Sequence, residues 1–323
     1  MKTPRLAIVV PCYNEEEVLQ ETTRQLSEVL ENLVEGGLIS TDSYILFVND
    51  GSTDNTWMMI HQYHESNKYV CGLNLAGNVG HQNALMAGMD AVADKCDVAV
   101  TIDADLQDDV DAIREMVVKY MGGCDIVYGV RRERASDTWF KRTSALAFYS
   151  LLKSMGVKSV YNHADYRLMS KRAILFLLRY RERNLFLRGM VPTIGYKTDC
   201  VYYNRTERFA GNSKYPLKKM LNFAFDGITS FSVKPVHMVL LLGGLFLCLS
   251  FCIFVWVVYS ICIGRVVPGW ASLMLSIWFC SGCVLIALGV VGEYIGKIYI
   301  EVKDRPRYNI EEILLHNNES PKA

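Results

Sequence analysis

VAVTIDADLQDD, residues Val98–Asp109, joins five apolar or β-branched residues to four carboxylates: Asp103, Asp105, Asp108 and Asp109. A short apolar run of this kind reads as a buried strand. The acids therefore collect where the strand leaves the core. The same arrangement occurs twice upstream: LAIVV (Leu6–Val10) runs into PCYNEEE, and YILFV (Tyr44–Val48) runs into NDGSTD. Helical segments are predicted in between. Pro11–Leu33 opens with Pro and Asn followed by acids, and TWMMIHQYHES (56–66), HQNALMAGMDAVA (81–93) and DAIREMVVKYM (111–121) have helical patterning. VCGLNLA (70–76) and CDIVYGV (124–130) read as further strands. Alternating strands and helices predict an α/β, Rossmann-like domain with a mainly parallel sheet covered on both faces. In such sheets ligands bind beyond the carboxyl ends of the strands. PCYNE, NDGSTD and DADLQDD all fall there.

In an extended chain, residues two apart point the same way. Asp103 and Asp105 are thus expected to face one side, with Gln107 next in line. Two carboxylates and an amide oxygen are hard donors suited to Mg or Mn, which also take phosphate oxygens from a substrate. Asp108 or Asp111 is expected to cap the following helix. In NDGSTDNT, Asp50 can accept from a base N–H, Gly51 permits close backbone approach, and Thr53 or Asp54 can cap the next helix.

Formal charge is zero, from 34 basic and 34 acidic residues, which argues against a nucleic-acid partner. The hydrophobic residues are unevenly spread. Val236–Ile263 and Val266–Gly292 contain no Asp, Glu, Lys or Arg, and each exceeds the roughly 20 residues that span a bilayer as a helix. The short connection GRVVPG predicts an antiparallel hairpin, with spans at about 236–263 and 268–293. Lys214, Lys218, Lys219 and Lys234 precede the first span, and Lys297, Lys303, Arg305 and Arg307 follow the second. The loop between offers Arg265 alone. The positive-inside rule places both termini and the N-terminal region in the cytoplasm, on an inner-membrane protein. The predicted layout is a cytoplasmic domain over 1–215, an amphipathic interface helix over 216–235, the two spans within 236–298, and a cytoplasmic tail over 299–323. Apolar stripes at 145–155 and 217–231 suit helices lying in the membrane interface, or ordinary core packing. Cys280 and Cys283 have C-x-x-C spacing but no polar ligand residues around them, and read as small packing residues.

VVPCYNEEE, VNDGSTDNT, GNVGHQNALMAG and IDADLQDD occur in order, followed by YGVRRERASDTWFKR, HADYRLMSKRAI, LFLRGMV and RFAGNSKYPLKKML. This series resembles family 2 of the glycosyltransferases, with the glycosyltransferase-A fold. The whole chain is similar to the polyprenyl-phosphate group: bactoprenol glucosyltransferases and, more distantly, dolichol-phosphate mannose synthases. The resemblance implies that Pro11, Tyr13, Glu15, Asp50, Asn78 and Asp103 hold the nucleotide sugar. It implies that Asp103, Asp105 and Gln107 bind a divalent cation and the donor diphosphate. It also implies that Arg131, Arg142, Ser144, Arg208 and Lys214 fall near the lipid phosphate or the diphosphate, and that Asp165 matches the acidic position facing the acceptor. Asp165, Arg131 and Arg208 thus form the implied catalytic centre.

The pattern departs at Asn49, where many relatives carry Asp, and at Gly77, where many carry Arg. The implied reaction is inverting transfer of one hexose, glucose from UDP-glucose being favoured, to undecaprenyl or another polyprenyl phosphate. Rival readings are another donor sugar (mannose, galactose, an N-acetylhexosamine, an aminoarabinose derivative), a processive polysaccharide synthase, and a non-catalytic membrane scaffold. The Gln-x-x-Arg-Trp pattern usual in processive synthases has no Arg-Trp pair here. The family also suggests homo-oligomers, and Gly243, Gly244, Gly282 and Gly289 would permit close helix contacts.

Overall fold

The computed structural model describes residues 3–132, 163–183, 185–204, 234–263 and 269–316. The N-terminal part alternates as expected: β1 (Leu6–Cys12), α1 (Leu19–Glu35), β2 (Tyr44–Asn49), α2 (Thr56–Ser66), β3 (Val70–Leu75), α3 (His81–Val92), β4 (Val98–Thr101), α4 (Ala112–Met121) and β5 (Ile126–Arg131). Then come β6 (His163–Ser170), α5 (Lys171–Leu177), a short α6 (Leu187–Met190) and β7 (Thr198–Tyr203). After them follow two long helices, α7 (Lys234–Cys262) and α8 (Trp270–Lys303), and a last strand, β8 (Ile310–Leu314).

The eight strands form one sheet in the order β7-β5-β6-β4-β1-β2-β3-β8. Every strand but β6 and β8 runs the same way. β1 is flanked by β2 on one side and β4 on the other, so the winding reverses at β1. That reversal opens a crevice at the carboxyl ends of β1 and β4. The central strands are buried along their whole length, which is why they read as unbroken apolar runs. Leu6, Ile8 and Val10 pack with Leu19, Leu26 and Leu30 of α1 in the main core. On α3, Gly88 lies so close to β1 and β2 that a Cβ there would meet Val9 Cγ1 at 2.4 Å. Close helix–strand contact leaves no room for a side chain at this position.

Several details differ from the sequence reading. α1 starts at Leu19, because Pro11 and Cys12 remain in β1. β6 and β7 were not expected. β6 carries Asp165 and Arg167 buried on one face, and buried polar residues hide a strand from hydrophobic patterning. The segment expected as a separate tail returns as β8, antiparallel to β3 at the sheet edge.

The two long helices belong to a second compact unit and contact one another. Many of their described apolar side chains, such as Leu241, Trp256, Leu285 and Ile298, are exposed. Among the described residues, Phe279–Lys303 is a helical stretch long and apolar enough to cross a membrane. α8 runs to Lys303, ten residues past the expected end of the second span at 293. The interface helices expected at 145–155 and 217–231 lie outside the described residues, as do Arg142, Ser144, Arg208 and Lys214. All ten cysteines are unpaired.

Candidate active site

The acidic run divides. β4 ends at Thr101, so Asp103 and Asp105 stand on a turning chain rather than a straight strand. Burial still alternates: Ile102 and Ala104 point inward, while Asp103 and Asp105 are half-exposed. Leu106 takes a left-handed conformation (φ 53°), and Asp105 Oδ1 accepts the Gln107 N–H at 3.2 Å. This turn leaves Gln107 buried, unlike the two open carboxylates with which it was grouped.

Asp108 goes the other way. Its side chain is 1% exposed and pairs with Arg131. Arg131 Nε and Nη2 donate to Oδ1 at 3.0 and 2.8 Å, and the Tyr203 hydroxyl donates to the same oxygen at 2.6 Å. Oδ2 is buried, with no hydrogen-bond partner among the described residues. The expected cap from Asp108 or Asp111 is therefore not made: Asp108 is committed to Arg131, and Asp111 occupies the N-cap position of α4 without a side-chain bond. At α2 the cap is closer to expectation, with Asp54 Oδ1 accepting the Thr56 N–H at 3.0 Å.

Asp165 lies on β6, and the Thr101 hydroxyl donates to its backbone carbonyl at 2.5 Å, tying β6 to the end of β4. One carboxylate oxygen pairs with Arg167 at 2.5 Å, and the other with Arg188 at 3.2 Å. His81 Nε2, at the start of α3, is 3.7 Å from Asp165 and 3.5 Å from Asp103. Burial alone would raise the Asp165 pKa, but Arg188, His81 and Arg167 together hold it well below the usual carboxylate range. Arg167 also donates to the Leu187 carbonyl, and Gln82 of α3 accepts the Leu187 N–H, so α6 with Arg188 is docked at the site. Arg167 and Arg188 were not singled out from sequence. The signal for Arg167 was present in DYR, two residues beyond Asp165 on a strand.

The loops after β1 and β2 are joined. Asn14 Oδ1 accepts the Thr53 N–H at 2.8 Å, and Glu16 accepts both nitrogens of Asn55 at 3.0 and 2.9 Å. Pro11 is buried, Glu15 half-buried, and Tyr13 exposed at 47%. Asp50 is turned inward. It is buried, and its two oxygens accept the N–H groups of Val79 and Gly80 at 2.7 and 3.0 Å. Burial raises its pKa against those two bonds. Gly51 (φ 64°) admits close backbone approach as expected, but what approaches is the protein itself. A Cβ there would lie 2.5 Å from Asn78 N.

The donor set fits a divalent cation. Asp103 and Asp105 are hard oxygen donors, and neighbouring carboxylates act on Asp103. Burial, opposed by His81 and reinforced by Asp165, Asp108 and Asp105, pushes the Asp103 carboxyl up to about 6. A second group, His64, Cys71 and His316, has mutually close donor atoms, but the His64 Nδ1 contact to the Val70 carbonyl at 2.6 Å and the stacking of the two rings already account for it.

A mixed, mostly parallel sheet with carboxylates at its switch point is the α/β architecture expected of the glycosyltransferase-A fold. The chain belongs to glycosyl transferase family 2, whose model matches residues 7–176. It is 55% identical to the uncharacterized glycosyltransferase YkoT of Bacillus subtilis (strain 168), over 98% of this chain and 94% of that one. It is 38% identical to the SfII prophage-derived bactoprenol glucosyl transferase of Shigella flexneri, over 95% of this chain and 98% of that one. Among solved structures it is similar to glucosyl-3-phosphoglycerate synthase from Mycobacterium tuberculosis in complex with Mn2+, UDP and phosphoglyceric acid. That similarity has 17% identity and a TM-score of 0.45, over 70% of this chain and 76% of that one.

Proposed function

We propose that this glycosyltransferase moves one hexose from a nucleotide sugar to a polyprenyl phosphate at the cytoplasmic membrane face, with UDP-glucose as the favoured donor. The observation that carries the reading is the open pair Asp103 and Asp105 at the switch point, next to the Asp165–Arg167–Arg188 cluster. The relative named a bactoprenol glucosyl transferase, which matches almost the whole chain, supports both the sugar and the acceptor.

In the reaction an oxygen of the acceptor phosphate bonds to the anomeric carbon as the bond from that carbon to the donor diphosphate breaks. The configuration inverts, and a nucleoside diphosphate leaves. The acceptor phosphate is ionised at neutral pH and needs no proton removed, so no enzyme base or nucleophile is required. Asp165 acts by position: its low pKa keeps it charged, and that charge holds Arg188 and draws His81, which also faces Asp103. Asp103 and Asp105 would hold Mg or Mn, and the bound cation would stabilise negative charge on the departing diphosphate. Tyr13 offers an exposed aromatic face next to Pro11 and Glu15 for the nucleoside, with Asn78 on the loop that Asp50 fixes. The lipid phosphate is assigned to Arg142, Ser144, Arg208 and Lys214, with Arg131 engaged by Asp108. α7 and α8 would anchor the chain as a two-span hairpin with both termini cytoplasmic.

The test is to incubate purified full-length protein with undecaprenyl phosphate, Mn2+ or Mg2+ and a panel of nucleotide sugars. Lipid-linked sugar from one donor, absent with Asp105→Ala, is the expected result. No product from any donor would overturn the reading in favour of the scaffold.

A further inference from the structure

Glu311 lies on β8, after both long helices in sequence and far along the chain from the nucleotide loops. β8 pairs with β3 through Gly72–Leu314, Leu73–Ile313 and Asn74–Glu312, then jumps to Leu75–Ile310. Glu311 is the residue skipped. A bulge of this kind re-aims a side chain, and here the re-aimed carboxylate accepts from Asn74 Nδ2 at 2.9 Å. Asn74 Oδ1 accepts from Asn49 Nδ2 at 2.7 Å. Asn49 Oδ1 faces the Ser52 N–H at 3.4 Å, and Ser52 Oγ accepts the Asn14 N–H at 3.0 Å, next to Tyr13. Asn49 and Asn74 are both buried.

A side-chain amide can present either end to a neighbour, whereas a carboxylate can only accept. Glu311 therefore dictates that Asn74 give its NH2 to β8 and its oxygen to Asn49. Asn49 must then turn its NH2 to Asn74 and its oxygen to Ser52. We propose that Glu311, through Asn74 and Asn49, is a positioning residue for the nucleoside part of the donor. It sets the direction of the amide relay that holds the 50–54 turn against the loop after β1. The inference rests on the reading that this turn and the Tyr13 loop form the nucleoside site. β8 has anchors besides Glu311: its ladder with β3, the Ala76 N–H to Asn309 carbonyl bond at 3.0 Å, and the His64–His316 stack at 4.2 Å. A change at residue 311 thus probes relay direction rather than strand docking.

The experiment reverses the relay. With Asn49→Asp, residue 49 can no longer donate. Asn74 must turn its NH2 toward residue 49, which aims its oxygen at Glu311. Adding Glu311→Gln supplies an NH2 for that oxygen and completes the relay in the opposite sense. The dissociation constants of UDP and GDP with Mn2+ are measured by calorimetry on the full chain in detergent, with KM, kcat and thermal midpoints alongside. Asn49→Asp is expected to weaken the preferred nucleotide about 10-fold and raise the donor KM more than it changes kcat. Glu311→Gln alone costs about 2-fold, because its carbonyl can still accept. The double variant returns to within about 3-fold of wild type. Unchanged affinity in Asn49→Asp, or a double variant no tighter than Asn49→Asp, overturns the proposal. If wild type binds neither nucleotide, the nucleoside-site reading itself falls and the positioning role with it. Recovery of the thermal midpoint in the double variant would then show that the relay serves stability alone.

Discussion

Asp103 and Asp108 are five residues apart in one acidic run, yet they meet opposite electrostatics. Asp108 is sealed against Arg131 and Tyr203. Asp103 is half-exposed, faces other carboxylates, and has an imidazole at 3.5 Å. One carboxylate has its counter-charge built into the fold, while the other has a surplus that an external cation can relieve. The difference arises at Leu106 and Gln107, where the left-handed turn sends the chain back inside. A single run of acids thus supplies both a structural ion pair and the half-exposed carboxylates proposed to hold a cation, and composition alone cannot tell them apart.

The comparison breaks most severely if the inner pair loses its cation. Arg131→Met leaves Asp108 buried and uncompensated and should lower stability by about 3–5 kcal/mol, read from thermal or denaturant unfolding. A role for Arg131 at the lipid phosphate alone would leave the midpoint unmoved. Tyr203→Phe removes one 2.6 Å bond to the same buried oxygen and should cost about 1.5–3 kcal/mol in the same assay. The outer half behaves differently. Asp105→Ala loses the bond to the Gln107 N–H and should cost about 1 kcal/mol, less than either inner change, while product formation is lost.

The finest test uses pH. Asp103 is pushed up to about 6, above the ordinary carboxylate value, so between about 4 and 6 the folded chain holds a proton that the unfolded chain has released. The penalty from Asp103 is absent near pH 4 and grows as pH rises through about 6. In metal-free buffer, Asp103→Asn should be more stable than wild type above pH 6, by about 1 kcal/mol after allowing for solvent screening of this half-exposed group. The two should converge toward pH 4. Equal midpoints at pH 7.5 would remove the surplus-charge account. Saturating Mn2+ should erase or reverse the advantage, because wild type alone retains the Asp103 carboxylate.

Much of the fold was legible. β1 through β5 and the intervening helices follow from apolar runs and helical spacing, since fully covered strands show no polar interruption. β6 was hidden because Asp165 and Arg167 neutralise each other inside the protein, where neither residue looks buried by composition. β8 was hidden because an edge strand, IEEIL, has mostly exposed residues and no core face to betray it. At the site, the alternating exposure of Asp103 and Asp105 was legible from their spacing, and the charged strand ends from their position. The roles of Asp50 and Asp108 were not, because their partners, the 79–80 backbone and Arg131, come from elsewhere in the chain. Distance in sequence, rather than any weakness of pattern, concealed them.

The edge strand also bears on how the molecule is made. Synthesis runs from the N-terminus, so β3 is complete long before β8 exists, and more than two hundred residues must be translated between them. Throughout that interval β3 presents an unpaired row of backbone donors and acceptors, the kind of edge that recruits other chains. Only a polypeptide translated past both long helices can close it. A chain halted before residue 310 lacks the strand that covers this edge.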